Sequence, residues 1–154
     1  MINNNLNGNS NDKNKYLEIL IKDPKNYDAL LQLGLIDIKE NNFLNAKEKF
    51  DRLIELNPKK YEAHLNLSNI FFLEGDVVKA NQILKNFLNN TEENIEIINS
   101  LAINYLNSNN LKNLESHIAK YINNHESYIL YYLKGFLLFQ TDKIYESENF
   151  FIKS

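Results

Sequence analysis

Apolar residues along this chain recur at spacings of three and four, and strict alternation is rare. That pattern predicts helices and no strands. In "YDALLQLGLIDIK", Leu30, Leu33 and Ile36 form one stripe with Asp37, while Leu31, Leu35 and Ile38 form a second. A helix that is apolar on two faces needs two sets of neighbours. The next segment, "ENN", reads as a turn in which Asn takes left-handed dihedrals. A further helix is predicted from Phe43 to Leu56, with Phe43, Ala46, Phe50, Leu53 and Leu56 on one stripe. Pro58 is expected to stop this helix and to open the following one, because proline suits a first helical turn.

The pattern then repeats. Segments starting at Tyr27, Tyr61, Ile95 and Tyr128 are offset from one another by 34, 34 and 33 residues. Upstream, "KYLEILIKDP" mirrors "KFDRLIELNP", so a lone helix precedes the first full unit. The expected organisation is a disordered Asn-rich stretch at 1–12, then a helical repeat domain at 13–154. That domain comprises a leading helix at 13–22 and repeats at 27–60, 61–94, 95–127 and 128–154. Small residues recur on the first helix of each pair (Gly34, Ser68, Ala102, Gly135) and on the second (Ala46, Ala80, Ser147). They let two helices approach closely, with Phe50, Leu84 and Phe151 filling the space beside them.

These residues resemble the tetratricopeptide repeat, whose pattern is Trp-x₂-Leu-Gly-x₂-Tyr, then Ala-x₃-Phe, then Pro, over 34 residues. Leu30, Leu33, Gly34, Ala46, Phe50 and Pro58 carry it in the first repeat. Leu67, Ser68, Phe71, Gly75, Ala80 and Leu84 carry it in the second, and Ile98, Leu101, Ala102, Tyr105 and Leu111 in the third. Tyr131, Gly135, Leu138, Ser147 and Phe151 carry it in the fourth. Departures are Asp37 in place of an aromatic, Leu114 and Ile118 in the third repeat, and no proline after the second and third. The fold this implies is all-α, a right-handed α-solenoid of stacked antiparallel helix pairs, with about 3.5 to 4 repeats.

The resemblance also implies that the first helices line a concave groove. Its lining is expected from Leu31, Leu35 and Ile38; from Leu65, Asn66, Asn69 and Phe72; from Asn99, Ile103 and Leu106; and from Tyr132, Phe136 and Phe139. Family members that grip a terminal carboxylate use basic residues and Asn there. Here only Asn66 fits, and the matching basic sites hold Leu31, Glu96 and Ser100. An apolar or amphipathic protein segment suits such a groove better, with Asp28, Glu62 and Glu96 as nearby acids.

Composition changes this picture mainly by exclusion. Of 154 residues, 44% are apolar and 24% charged, and the net charge is −3. With Arg52 as the single arginine and an acidic balance, nucleic acid is not an expected partner. There is no cysteine, so thiolate metal sites and thiol nucleophiles are excluded. No membrane span and no secretory signal is legible, which makes the cytoplasm the default compartment. The 28 asparagines read as a mutational bias.

Residues with catalytic potential are sparse. His64 reads as core packing, His117 as a surface residue, and His125 as a loop residue near a helix start. Glu92 and Glu93 read as first-turn carboxylates favoured by a helix dipole. No metal-ligand spacing and no glycine-rich phosphate loop is present, so no catalytic, cofactor or metal residue is assigned. The expectation is a non-enzymatic scaffold or adaptor. The alternatives are a small chaperone for an exported or assembling subunit, or the regulatory part of a longer protein. The aromatic-rich last pair is a candidate for self-association.

Overall fold

In a computed structural model the backbone is described from residue 6 to 154 and side chains from residue 12. The described residues contain no strand. Their helices are α1 (Leu6–Lys22), α2 (Tyr27–Lys39), α3 (Phe43–Leu56), α4 (Tyr61–Leu73) and α5 (Val77–Asn90). They continue with α6 (Ile95–Asn107), α7 (Leu111–Tyr121), α8 (Tyr128–Gln140) and α9 (Ile144–Phe151). The fold is all-α helical repeat, as the period implied. Helix α3 has the bounds expected from its stripe. Helix α1 differs: it begins at Leu6 and not at 13, so the stretch expected to be disordered overlaps it. Once its C-terminal half is docked, each added residue costs little, since nucleation is the expensive step. Residues 1–5 lie outside the described residues.

Each pair turns in the same way. Asn41, Gly75, Asn109 and Asp142 occupy equivalent positions, and all have positive φ (58°, 86°, 53° and 57°). The following N–H reaches back five residues: Asn42 to the Asp37 carbonyl at 2.7 Å, Asp76 to Phe71 at 2.9 Å, Asn110 to Tyr105 at 2.8 Å, and Lys143 to Leu138 at 3.1 Å. This is the Schellman closure, which satisfies carbonyls left over at a helix end. Several helix starts are capped by side chains. Asn26, Asn94, Asn110 and Ser127 accept from the N–H three residues on. Pro58 stops α3, but α4 starts three residues later at Tyr61. Pro58 therefore sits in the connecting turn, closed by the Lys60 N–H on the Asn57 carbonyl, and does not open α4.

The chain forms two compact units, residues 1–83 and 84–154. In the first, Leu30, Ala46, Phe50, Leu53, Ala63, Leu67 and Ile70 form the core. Gly34 is the close-approach point: a Cβ there would stand 2.8 Å from Phe50 Cζ. Asp37, where the family pattern has an aromatic, is buried and held by Lys13 of α1 at 3.4 Å and Lys49 of α3 at 2.5 Å. Lys13 also pairs with Glu40. One carboxylate thus ties three helices. Arg52 of α3 donates to the Pro24 carbonyl at 2.6 Å, pinning the α1–α2 turn.

In the second unit the buried residues include Ile97, Ile98, Leu101, Ala102, Leu114, Ile118, Leu130 and Leu133. Gly135 repeats the Gly34 arrangement, with a Cβ there meeting Phe151 Cε1 at 2.7 Å. Phe50 is fully buried, however, whereas Phe151 is 37% exposed. The same two positions of the middle repeats hold Ser68 with Leu84 and Ala102 with Ile118. The smallest residue accompanies the aromatic, and a larger one accompanies an aliphatic, as constant volume demands. In both units most helix contacts join neighbours in sequence, α1 to α2 to α3 to α4, and α6 to α7 to α8 to α9, with α6 also meeting α8.

Candidate functional site

In the first unit, α2 and α4 present the same face side by side. Gln32, Leu35, Ile36 and Lys39 of α2 stand at i, i+3, i+4 and i+7, joined by Ile38. Asn66, Asn69, Ile70 and Leu73 of α4 stand at the same spacing, 34 residues on. Together they line a trough of about 340 Å³. Asn66 donates Nδ2 to the Glu62 carbonyl at 2.8 Å, which fixes its amide. Of the residues expected in the groove, Leu35, Ile38, Asn66 and Asn69 line this trough. Leu31 is half-buried against the core, and Leu65 and Phe72 are half-buried outside the trough. Sequence reasoning missed Gln32, Ile36, Lys39, Ile70 and Leu73. Their signal was the 32-35-36-39 spacing and its recurrence at 66-69-70-73.

In the second unit, Ile103 and Leu106 of α6 meet Tyr128, Ile129, Tyr132 and Leu133 of α8, with Ser154, around an almost wholly apolar recess of about 420 Å³. Ile103, Leu106 and Tyr132 were expected; Tyr128, Ile129, Leu133 and Ser154 were not. Tyr128 is 74% exposed and Tyr132 53%. Tyr132 lies 5.8 Å from Phe151, ring centre to ring centre. Asn99 has an internal partner, accepting from the Ser127 hydroxyl at 2.7 Å while that hydroxyl caps α8. Phe136 is half-buried and Phe139 exposed, and neither lines the recess.

Two readings of residues with catalytic potential need correction. His117 is buried, not on the surface. Its Nε2–H donates to the Ile98 carbonyl at 2.8 Å, and its ring lies 5.8 Å from Tyr105 and 4.8 Å from Tyr121. Burial, aided by Lys120 and Lys85, holds its pKa below the ordinary value, although the Ile98 bond opposes this. Glu92 and Glu93 precede the Asn94 cap, so they are not first-turn residues of α6. Glu93 instead accepts from His125 at 2.6 Å, joining two inter-helix turns. His64 is half-buried, bonded to the Pro58 carbonyl at 2.9 Å, with its pKa lowered by burial. Burial also raises the Tyr27 hydroxyl to about 12, with Glu62 and Asp28 adding to it. Among the described residues no three His, Cys, Asp or Glu side chains gather as metal ligands. No described helix is long and apolar enough to cross a membrane.

Residues 28–60 match the family model of the tetratricopeptide repeat. Among solved structures the chain is similar to a tetratricopeptide repeat protein from Parabacteroides merdae, at 22% identity and a TM-score of 0.70. The match covers 96% of this chain but 58% of that one, so this chain spans less than two thirds of that relative's length. It is similar to MamA from Desulfovibrio magneticus, at 15% identity and a TM-score of 0.68, covering 92% and 80% of the two chains. It is also similar to YrrB, described as carrying an unusual peptide-binding site, at 13% identity and a TM-score of 0.67, covering 90% and 72%. A sequence search of curated proteins finds no match. At these identities the likeness is one of fold.

Proposed function

We propose, for a chain that carries a tetratricopeptide repeat and shares the fold of tetratricopeptide-repeat proteins, that it is a non-enzymatic interaction module. Its first helices hold a segment of a partner protein. The observation that carries this reading is the pair of open, largely apolar depressions, one between α2 and α4 and one between α6 and α8. Both are built from first helices, and neither brings together groups suited to acid–base or nucleophilic chemistry. Apolar recesses edged by a few amides favour an apolar or amphipathic segment. The peptide-binding site named for YrrB is in keeping with this.

A photo-crosslinking amino acid placed at Leu35, at Tyr132 and, as a control, at exposed Arg52 of α3 tests the reading in native lysate. Adducts to one protein from position 35 or 132, absent from 52, are the expected result. Equal labelling from position 52, or none from 35 and 132, refutes it.

A second reading is favoured by the last pair, where Tyr145 is 82% exposed, Ile152 83% and Ile144 54%. Such a patch suits self-association. Sedimentation should then show a concentration-dependent dimer that a Tyr145→Glu/Ile152→Glu variant dissolves. A monomer at all concentrations removes this reading.

A further inference from the structure

The geometry points to a defined class of occupant for the α2–α4 trough: a partner segment that carries an aspartate or glutamate side chain one to three residues from an apolar side chain. The inference rests on the interaction reading above and adds its chemistry. The trough has a direction. Gln32 and Asn66 stand at one end, Leu35, Ile36 and Ile70 form the middle with Asn69, and Lys39 stands at the other end beside exposed Leu73. From position 32 to 39 along α2 is roughly 10 Å. An extended segment crosses that distance in about three residues.

Among the described residues, Lys39 is the only ionisable group lining the trough. Two carboxylates neighbour it in sequence, Asp37 and Glu40, yet neither is available to it. Asp37 is taken by Lys13 and Lys49, and Glu40 by Lys13. Two acids are thus matched by two lysines, and the charge of Lys39 is left over. Lys39 is exposed and makes no ion pair among the described residues. The complementary ligand therefore brings a carboxylate to the Lys39 end and an apolar side chain to the middle. Gln32, Asn66 and Asn69 suit the hydrogen-bonding needs of its main chain, which would otherwise lose water without replacement.

A peptide array provides the test. The probes are acetylated, amidated peptides that combine one Leu, Ile or Phe with one Asp, Glu, Lys or no charge, at spacings of one to three residues. A parallel set carries free C-terminal carboxylates and no acidic side chain. The wild-type chain is compared with Lys39→Met, Lys39→Glu and Leu35→Lys. Lys39 is exposed, so its variants keep the fold. An exposed ion pair gives the acidic peptides an advantage of about two- to fivefold over uncharged ones. That advantage should vanish in Lys39→Met, pass to the lysine peptides in Lys39→Glu, and shrink as salt rises. An acid preference unchanged by Lys39→Glu, or binding confined to free C-termini, overturns the inference. Binding of apolar peptides that Leu35→Lys abolishes but charge does not affect overturns it too, while leaving the interaction reading intact. No captured peptide at all defeats both.

Discussion

Gly34 and Gly135 occupy the same position of two repeats, yet the same substitution should cost stability at one and almost nothing at the other. An added Cβ meets Phe50 Cζ at 2.8 Å at Gly34 and Phe151 Cε1 at 2.7 Å at Gly135. Contacts that short require the ring to move. Phe50 has no exposed surface, so its ring can move only by displacing core neighbours. Overpacking of this kind costs about 1–3 kcal/mol. Replacing glycine by alanine inside a helix returns about 1 kcal/mol. Gly34→Ala should therefore destabilise the first unit by about 1 kcal/mol. Phe151 is 37% exposed and can swing outward, losing mainly its contact with Tyr132. That contact is worth about 0.5–1.5 kcal/mol, so Gly135→Ala should be close to neutral. Amide hydrogen exchange resolved by segment is the suitable assay, because a repeat chain need not unfold as a single two-state unit. Exchange in α2 and α3 should accelerate about fivefold for Gly34→Ala, and change little in α8 and α9 for Gly135→Ala. Adding Phe50→Ile to Gly34→Ala recreates the Ala102 and Ile118 combination of the third repeat and should recover part of the loss. Equal effects at both glycines, or no rescue by Phe50→Ile, would refute the volume argument.

Three further outcomes are expected. Asp37→Ala removes the carboxylate shared by Lys13 and Lys49; both lysines can rehydrate, so the loss should be about 1–3 kcal/mol, seen as faster proteolysis within α1 before α3. Asn41 sits at φ 58°, so Asn41→Val should lower the urea midpoint by an amount equivalent to about 1–2 kcal/mol while Asn41→Gly leaves it unchanged or raised. Equal midpoints for the two variants would contradict the left-handed turn. The pKa of His117 is lowered in the fold, so the unfolded chain binds its proton first as pH falls. Its stabilising contribution is complete above the unfolded value of about 6.5 and is lost as pH drops through the folded value. His117→Phe should flatten stability between pH 7 and pH 5, as followed by circular dichroism, and an unaltered slope would assign the effect to another group.

The 34-residue period and the stripe of α3 made the helices legible, because a one-sided helix states which face is buried. Helix α2 did not. It is apolar on two faces, so periodicity alone could not decide between the 31-35-38 line and the 32-35-36-39 line that borders the trough. Polar Gln32 and Lys39 carry no hydropathy signal, although they keep helical spacing with Leu35. His117 was legible in principle. Leu114, His117, Ile118 and Tyr121 are spaced three, four and seven apart, the spacing of a buried face, although a polar ring occupies one of its positions. The Glu93–His125 pair was not legible, since it spans 32 residues between two turns with no periodic trace. Nor was the sequestering of Asp37 and Glu40 by lysines of other helices, which leaves Lys39 as the spare charge.

The predominance of contacts between sequence-adjacent helices has a kinetic consequence. Contacts that close only short loops give folding in microseconds to milliseconds. A ribosome adding about 5–20 residues each second needs roughly 4–14 s for the 71 residues of the second unit, 84–154. The first unit therefore has ample time to finish while the second is still being made. Within each unit the helices would emerge in order, each new one meeting a surface already in place, so the apolar faces still awaiting a partner are those of the newest pair.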